Sequence, residues 1–263
     1  MTKVRDILEY LEGLAPAAMQ ESWDNVGLLC GSKDKEVKTI FVALDPFESV
    51  CQEAVAAGAD LLVTHHPLIF QPAKSVTDDN GVGRAILTLA SHGISAVNAH
   101  TNLDCTPGGV NDVLASALGL GDVTVIKPSG TDEAGNPWGL LRMGEVEEME
   151  LPTFLAQVKS ALGSKCLKFV DGGKKVKKVA VGGGSCGSEM EKVIRSGCDT
   201  FITADLKYNQ YWDAKEAGLN LIDAGHFYTE NPVVAVLAAK IAAAFPEVEV
   251  KISKTHADCM KFF

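Results

Sequence analysis

The chain has 263 residues, with 24 Lys and Arg against 34 Asp and Glu, a formal charge of −10 at pH 7. That length allows one large domain or two smaller ones with ample core, and 46% hydrophobic with 22% charged residues excludes a disordered, collagenous or coiled-coil chain. The acidic balance speaks against a broad nucleic-acid footprint, and no apolar run reaches the roughly 20 residues that span a bilayer.

The N-terminal stretch 1–16 is amphipathic and carries acids, unlike a signal or transit peptide. The seven cysteines are odd in number and contain no CxxC pair, so free thiols in a reducing cytoplasm are expected.

In chain order the pattern predicts a helix over 4–14, a strand over 38–44, a helix over 46–57 closed by Gly58, and a strand over 60–64. A helix over 83–91, a strand over 94–98 and a helix over 110–118 follow. The middle, about 119–178, is more polar, with a turn over 129–137, a strand over 139–145, a helix over 152–162 and a Lys-rich loop over 174–178 read as solvated surface. Alternation resumes with strands over 179–181, 199–203 and 219–223 and helices over 189–196, 208–217 and 233–244. Apolar strands separated by helices predict an α/β fold with mostly parallel sheets covered on both faces.

The two ends of the chain resemble each other. Residues 52–64 and 191–203 both read helix, glycine, strand, threonine. Gly93 with His100 and Asp104 is echoed by Gly218 with His226 and Glu230. Two related α/β lobes are therefore expected, one over 1–125 and one over 126–263, with a site in the cleft between them.

Four of the six histidines, His65, His66, His100 and His226, fall at the carboxyl ends of predicted strands, where ligands gather in open α/β sheets. Adjacent side chains on a strand point opposite ways, so His65 and His66 need the turn at Pro67 to converge on one site, or else they serve different ions. His226 and Glu230 share a face if that segment is helical. Imidazole with carboxylate suits Zn, Mn, Fe or Co. The donors His65, His66, Asp104, His226 and Glu230 are too many for one catalytic zinc and suit a bridged pair of divalent ions. His92 and His256 lack such context and are read as structural.

Four motifs make the sequence recognisable: Ser22-Trp23-Asp24-Asn25-Val26-Gly27-Leu28, Thr64-His65-His66-Pro67-Leu68-Ile69-Phe70, His100-Thr101-Asn102-Leu103-Asp104 with Gly108-Gly109-Val110-Asn111-Asp112, and Asp223-Ala224-Gly225-His226-Phe227-Tyr228-Thr229-Glu230. In that order they resemble the Nif-three-like dinuclear metal-centre family, also described as GTP cyclohydrolase I type 2, over nearly the whole chain. The resemblance implies two lobes with the metal pair in their cleft, and a homohexamer built as a trimer of dimers. It implies His65, His66, Asp104, His226 and Glu230 as metal ligands, with His100 as an accessory residue that shuttles a proton. It also implies that this short chain lacks the inserted middle domain of longer members. Many members carry Lys-Tyr-His where this chain has Lys207-Tyr208-Asn209, so no role transfers to position 209.

The leading functional reading is a metal-dependent hydrolase acting on a small anionic, nucleotide-like substrate. Its rival is a metal-handling or regulatory interaction protein without catalysis. The run Gly182-Gly183-Gly184-Ser185-Cys186-Gly187 is read as a strand-to-helix turn rather than a phosphate loop, since GxxxxGK[ST] is absent. The loop Trp23-Asp24-Asn25 either lines the pocket or packs Trp23 into the core.

Overall fold

The computed structural model describes all residues, Met1–Phe263. Helix α1 (Val4–Leu14) buries Val4, Ile7 and Leu11 at helical spacing and starts where the Lys3 amide donates to Asp6 Oδ2 at 2.7 Å. Then come β1 (Gly27–Cys30), β2 (Thr39–Ala43), α2 (Glu48–Ala56), β3 (Leu61–Thr64), α3 (Gly81–Ser91), β4 (Ser95–Asn98), α4 (Thr101–Cys105) and α5 (Val110–Ala117). The middle stretch holds β5 (Gly121–Ile126), the short hairpin β6 (Gly130–Thr131) and β7 (Pro137–Trp138), β8 (Leu141–Met149), α6 (Leu151–Leu162) and β9 (Lys168–Val170). The chain ends with β10 (Val176–Val181), α7 (Met190–Arg195), β11 (Thr200–Thr203), α8 (Tyr208–Ala217), β12 (Asn220–Asp223), α9 (His226–Glu230), α10 (Pro232–Ala244) and β13 (Glu249–Ile252). No helix is long and apolar enough to cross a membrane, and all seven cysteines are free thiols.

The chain divides into two compact units, one of residues 1–103 and 234–257, the other of residues 104–233 and 258–263. The first unit's sheet has the order β1-β4-β3-β2-β13 and is parallel except at β1. One of its faces is covered by α2 and α3, which meet Phe41, Leu62 and Ala96 from the strands in a core with Val50, Cys51, Ala54, Ala85 and Leu89.

The second unit's sheet has the order β5-β8-β10-β11-β12-β9. Here the expectation of mostly parallel pairing needs correction, because only β10–β11 and β11–β12 are parallel. A parallel neighbour needs a crossover of a dozen or more residues. The segment joining β5 to β8 is spent on the hairpin β6–β7, so β8 returns antiparallel.

The Lys-rich segment is not wholly a loop either. Val176 is fully buried and starts β10, and the Asp199 carboxylate accepts from the Lys177 and Lys178 amides at 3.0 and 2.7 Å. The first unit repeats this detail, with Asp60 Oδ2 accepting from the Lys38 and Thr39 amides at 2.8 and 3.1 Å. Each Asp follows a left-handed glycine, Gly58 or Gly197, that ends a helix.

Arg142 on β8 is the largest fully buried side chain. Its guanidinium donates to both Asp112 oxygens at 2.6 and 3.1 Å, and to the carbonyls of Gly139, Cys105 and Thr106 at 2.6, 3.2 and 3.1 Å. These bonds hold the chain just after Asp104. Removing the guanidinium would leave the partly exposed Asp112 with the Gly108 amide as its remaining donor and take a donor from three carbonyls, a loss of about 1–3 kcal/mol. Arg142→Ala should lower the denaturation midpoint accordingly. Arg142→Lys should recover little, because an ammonium lacks the planar fork. A denaturation curve of Arg142→Lys matching the wild type would contradict this account.

Candidate metal centre

In the first unit the residues just beyond β3 and β4 bring three imidazoles together. The turn after Thr64 resolves the problem of adjacent histidines. Thr64 Oγ1 donates to the His66 carbonyl at 2.7 Å, and the His66 amide donates to the Leu44 carbonyl at 2.9 Å. The His65 and His66 ring centroids lie 4.9 Å apart, and the His100 ring is 5.2 and 5.4 Å from them. One nitrogen from each ring lies within 4.8 Å of the others.

Each ring is held from behind through Nδ1. His65 Nδ1 is 2.9 Å from the Ala99 carbonyl, His66 Nδ1 is 2.6 Å from Asp45 Oδ1, and His100 Nδ1 is 2.7 Å from Asp24 Oδ1. Asp24 also accepts from the Thr101 amide at 3.0 Å and from the Thr101 hydroxyl. Burial works against ionisation of Asp24 and Asp45. For Asp24 the bonds from His100 and Thr101 outweigh it, for Asp45 those from His256 and His66, and both carboxyls are held well below the usual carboxylate range. Trp23 is not a core residue. It is 57% exposed and stands edge-on to Phe70 at 5.8 Å and to His100 at 6.2 Å.

In the second unit α9 is a helix, so His226 and Glu230 stand one turn apart, with Nε2 3.0 Å from Glu230 Oε2. A carboxylate oxygen of Asp104 lies within 4.8 Å of one from Glu230. His226 Nδ1 is 2.6 Å from Asp205 Oδ2. Asp205 reaches this position from a left-handed backbone, φ 53°, a conformation Asp tolerates better than most residues.

The motif around Asn111 is architectural. Its amide donates to the Asp104 and Leu140 carbonyls at 3.1 and 2.6 Å, and its oxygen accepts from the Gly183 amide at 2.7 Å. The Gly184 amide donates to Thr229 Oγ1 at 3.0 Å and the Gly182 amide to the Ile202 carbonyl at 3.0 Å, so all three amides of Gly182-Gly183-Gly184 serve the fold, in keeping with a turn rather than a phosphate cradle. Burial, with the Asp104 and Glu230 charges adding to it, pushes the Cys186 thiol pKa well up, and its Sγ donates to the Gly183 carbonyl at 3.2 Å.

A carboxylate or carbonyl can only accept, so each of the four rings carries a proton on Nδ1 and turns Nε2 towards a ligand. Metal-binding histidines are held in this way. Clustered imidazole and carboxylate donors of this kind fit a borderline divalent cation such as Zn, Mn, Fe or Co.

Sequence reasoning missed Asp45, a single acid with no diagnostic spacing, gave no role to Asp205 of Thr203-Ala204-Asp205, and set aside His256, whose Nε2 lies 2.7 Å from Asp45 Oδ2. It quoted Asp24 without a role. Asn209 is exposed at the start of α8, with its amide 3.4 Å from Asp213.

A model of the Duf34/NIF3 (NGG1p interacting factor 3) family matches residues 2–259. The chain belongs to the Duf34/NIF3 family. It is 36% identical over 263 residues to the GTP cyclohydrolase 1 type 2 homolog of Clostridium perfringens, covering 99% of each chain. Among solved structures, a Staphylococcus aureus hypothetical protein matches with a TM-score of 0.93 at 31% identity, over 99% of each chain. A Bacillus cereus protein related to NIF3 matches with a TM-score of 0.93 at 25% identity, over 100% of this chain and 99% of that one.

Two outcomes follow for this Duf34/NIF3 chain. Burial opposes charge on His226, but the Asp205 and Glu230 hydrogen bonds outweigh it and raise its pKa to about 11. The folded value lies above the ordinary 6.5, so this contribution to stability is full below about pH 6.5 and fades as pH rises towards about 11. A cation taking Nε2 must displace that proton. Zn uptake by metal-free protein in weak buffer should therefore release protons at pH 7, and release should disappear in His226→Ala.

The second concerns Gly184, at φ 60°, where an added Cβ would meet Glu230 Oε1 and His226 Nε2. Gly184→Ala should weaken metal uptake at least tenfold while far-UV circular dichroism stays unchanged. Wild-type uptake in that variant would show that the approach is not needed.

Proposed function

We propose that this Duf34/NIF3 chain holds two divalent cations through His65, His66, Asp104, His226 and Glu230 and hydrolyses a nucleotide-like substrate. The observation that carries this reading is the common Nδ1 tether of His65, His66 and His226, with Glu230 beside the last and Asp104 within reach of Glu230. When bound, the cations would supply Lewis acidity and favour ionisation of a water near neutral pH.

His100 has the arrangement of a general base. Asp24 holds its Nδ1 proton, Nε2 is left to accept a proton from the attacking water, and the Asp24 carboxylate stabilises the imidazolium that results. The exposed Trp23 and Phe70 edges beside His100 suit a planar ring in the substrate. The name of the Clostridium perfringens relative makes GTP the first compound to try.

The same reading includes two related α/β lobes, supported by the recurrence of Gly58 with Asp60 and Gly197 with Asp199. It also includes a hexamer, which the mass in solution would test.

Protein loaded with Zn, Mn, Fe or Co should release formate or phosphate from GTP or another phosphorylated nucleotide. His100→Ala should lose 10²–10⁴-fold in kcat while keeping two ions per chain. The double variant His65→Ala with Glu230→Ala should lose the ions without unfolding. Absence of turnover with all four metals would remove the hydrolase and leave metal handling.

A further inference from the structure

We infer that His256 is a positioning residue for His66, acting through Asp45. The inference rests on the two-cation reading above and adds a residue that the spacing of the sequence had set aside.

Asp45 lies two residues beyond β2, and its carboxylate is divided between two rings. Oδ1 accepts from His66 Nδ1 at 2.6 Å, and Oδ2 accepts from His256 Nε2 at 2.7 Å. The Asp45 and His256 side chains are 15% and 9% exposed, so water competes poorly for either oxygen. A carboxylate held at both oxygens cannot rotate without breaking one bond. With His256 in place, Asp45 therefore has one orientation, and so has the ring of His66. Without it, Oδ2 would lack a donor at a site that solvent barely reaches, and Asp45 would be free to turn towards whatever donor it could find.

The path of the chain makes this contact deliberate in a physical sense. Strand β13 runs parallel to β2 with Ile252 opposite Val42, and the Ser253 amide donates to the Val42 carbonyl at 3.0 Å. The residues after β13 therefore emerge beside the end of β2, where Asp45 stands. Glu53 on α2 then clamps them, accepting from the Ser253 hydroxyl, from the Lys254 amide at 2.8 Å and from the Thr255 hydroxyl at 2.7 Å. The His256 amide donates to Ser253 Oγ at 3.2 Å, and the Phe47 ring stands 5.9 Å from the imidazole at 63°. Helix α2, the tail, His256 and Asp45 thus form one continuous support for His66.

The test uses the full chain, with Zn and Mn as probes and a chelator competing for them. The wild type should hold two ions. His256→Ala should weaken one of them at least tenfold and leave the other unchanged, the range expected when a partner behind a ligand is lost. His256→Gln should recover part of the loss, because its amide can still donate to Asp45. A general loss of structure would weaken both ions and would not be rescued by Gln. If His256→Ala does not fold, Glu53→Ala frees the tail and with it the His256 ring from Asp45, with His66, Asp45 and His256 themselves unsubstituted, and the same selective weakening is expected. A wild type that takes up no divalent ion would overturn the two-cation reading and this role with it. A wild type that holds two ions beside a folded His256→Ala or Glu53→Ala that holds both equally tightly would overturn this inference alone.

Discussion

The bond from each imidazole Nδ1 to an oxygen behind it is the constraint on which the rest of the centre depends. The Ala99 carbonyl and the carboxylates of Asp45, Asp24 and Asp205 do the same work for His65, His66, His100 and His226. A neutral imidazole free to choose its tautomer presents a donor as readily as an acceptor. Binding the Nδ1 proton removes that choice, sets the plane of the ring and raises the basicity of Nε2. Three of the four tethers are carboxylates, which also stabilise any positive charge that reaches the ring.

Parallel pairing is what brings these partners to one end of each sheet. In the first unit Ala43 is opposite Thr64 and Thr64 is opposite Asn98, so Asp45, His65, His66 and His100 all leave the sheet at the same edge. In the second, Thr203 is opposite Asp223, and Asp205 and His226 follow at the same level. The strands are buried along their length, and their polarity is confined to where hydrogen bonding within the ladder stops. Local scaffolding completes the work. Arg142 gathers the carbonyls that follow Asp104, and Asn111 ties the Asp104 backbone to the glycine run beneath Glu230.

The sequence made the interior legible and the margins obscure. Central strands such as β2, β3, β11 and β12 have apolar centres and match the predicted spans to within a residue at each end. Strands β1, β5, β9 and β13 were not anticipated, and all four are sheet edges, half-solvated and without a diagnostic period. The same division holds at the site. His65-His66-Pro67 and His226 with Glu230 announce themselves by spacing. Asp45, Asp205 and His256 act across the fold, at separations of 21 residues from His66, 21 from His226 and 211 from Asp45, and no local pattern encodes such pairings.

The net charge of −10 is a poor guide to what the second unit's centre attracts. Asp205 and Glu230 flank the two nitrogens of His226, Asp104 reaches Glu230, and the raised pKa of the imidazole favours a positive charge between the two flanking carboxylates. Burial opposes that charge, and the Asp205 and Glu230 carboxylates outweigh burial and favour the cationic ring. A proton satisfies one contact between two residues. A divalent ion brings twice the charge and accepts several donors at once, so the arrangement that holds the proton so firmly is better matched to a metal. An excess of carboxylates over the whole chain thus becomes, at this point, the means of concentrating positive charge.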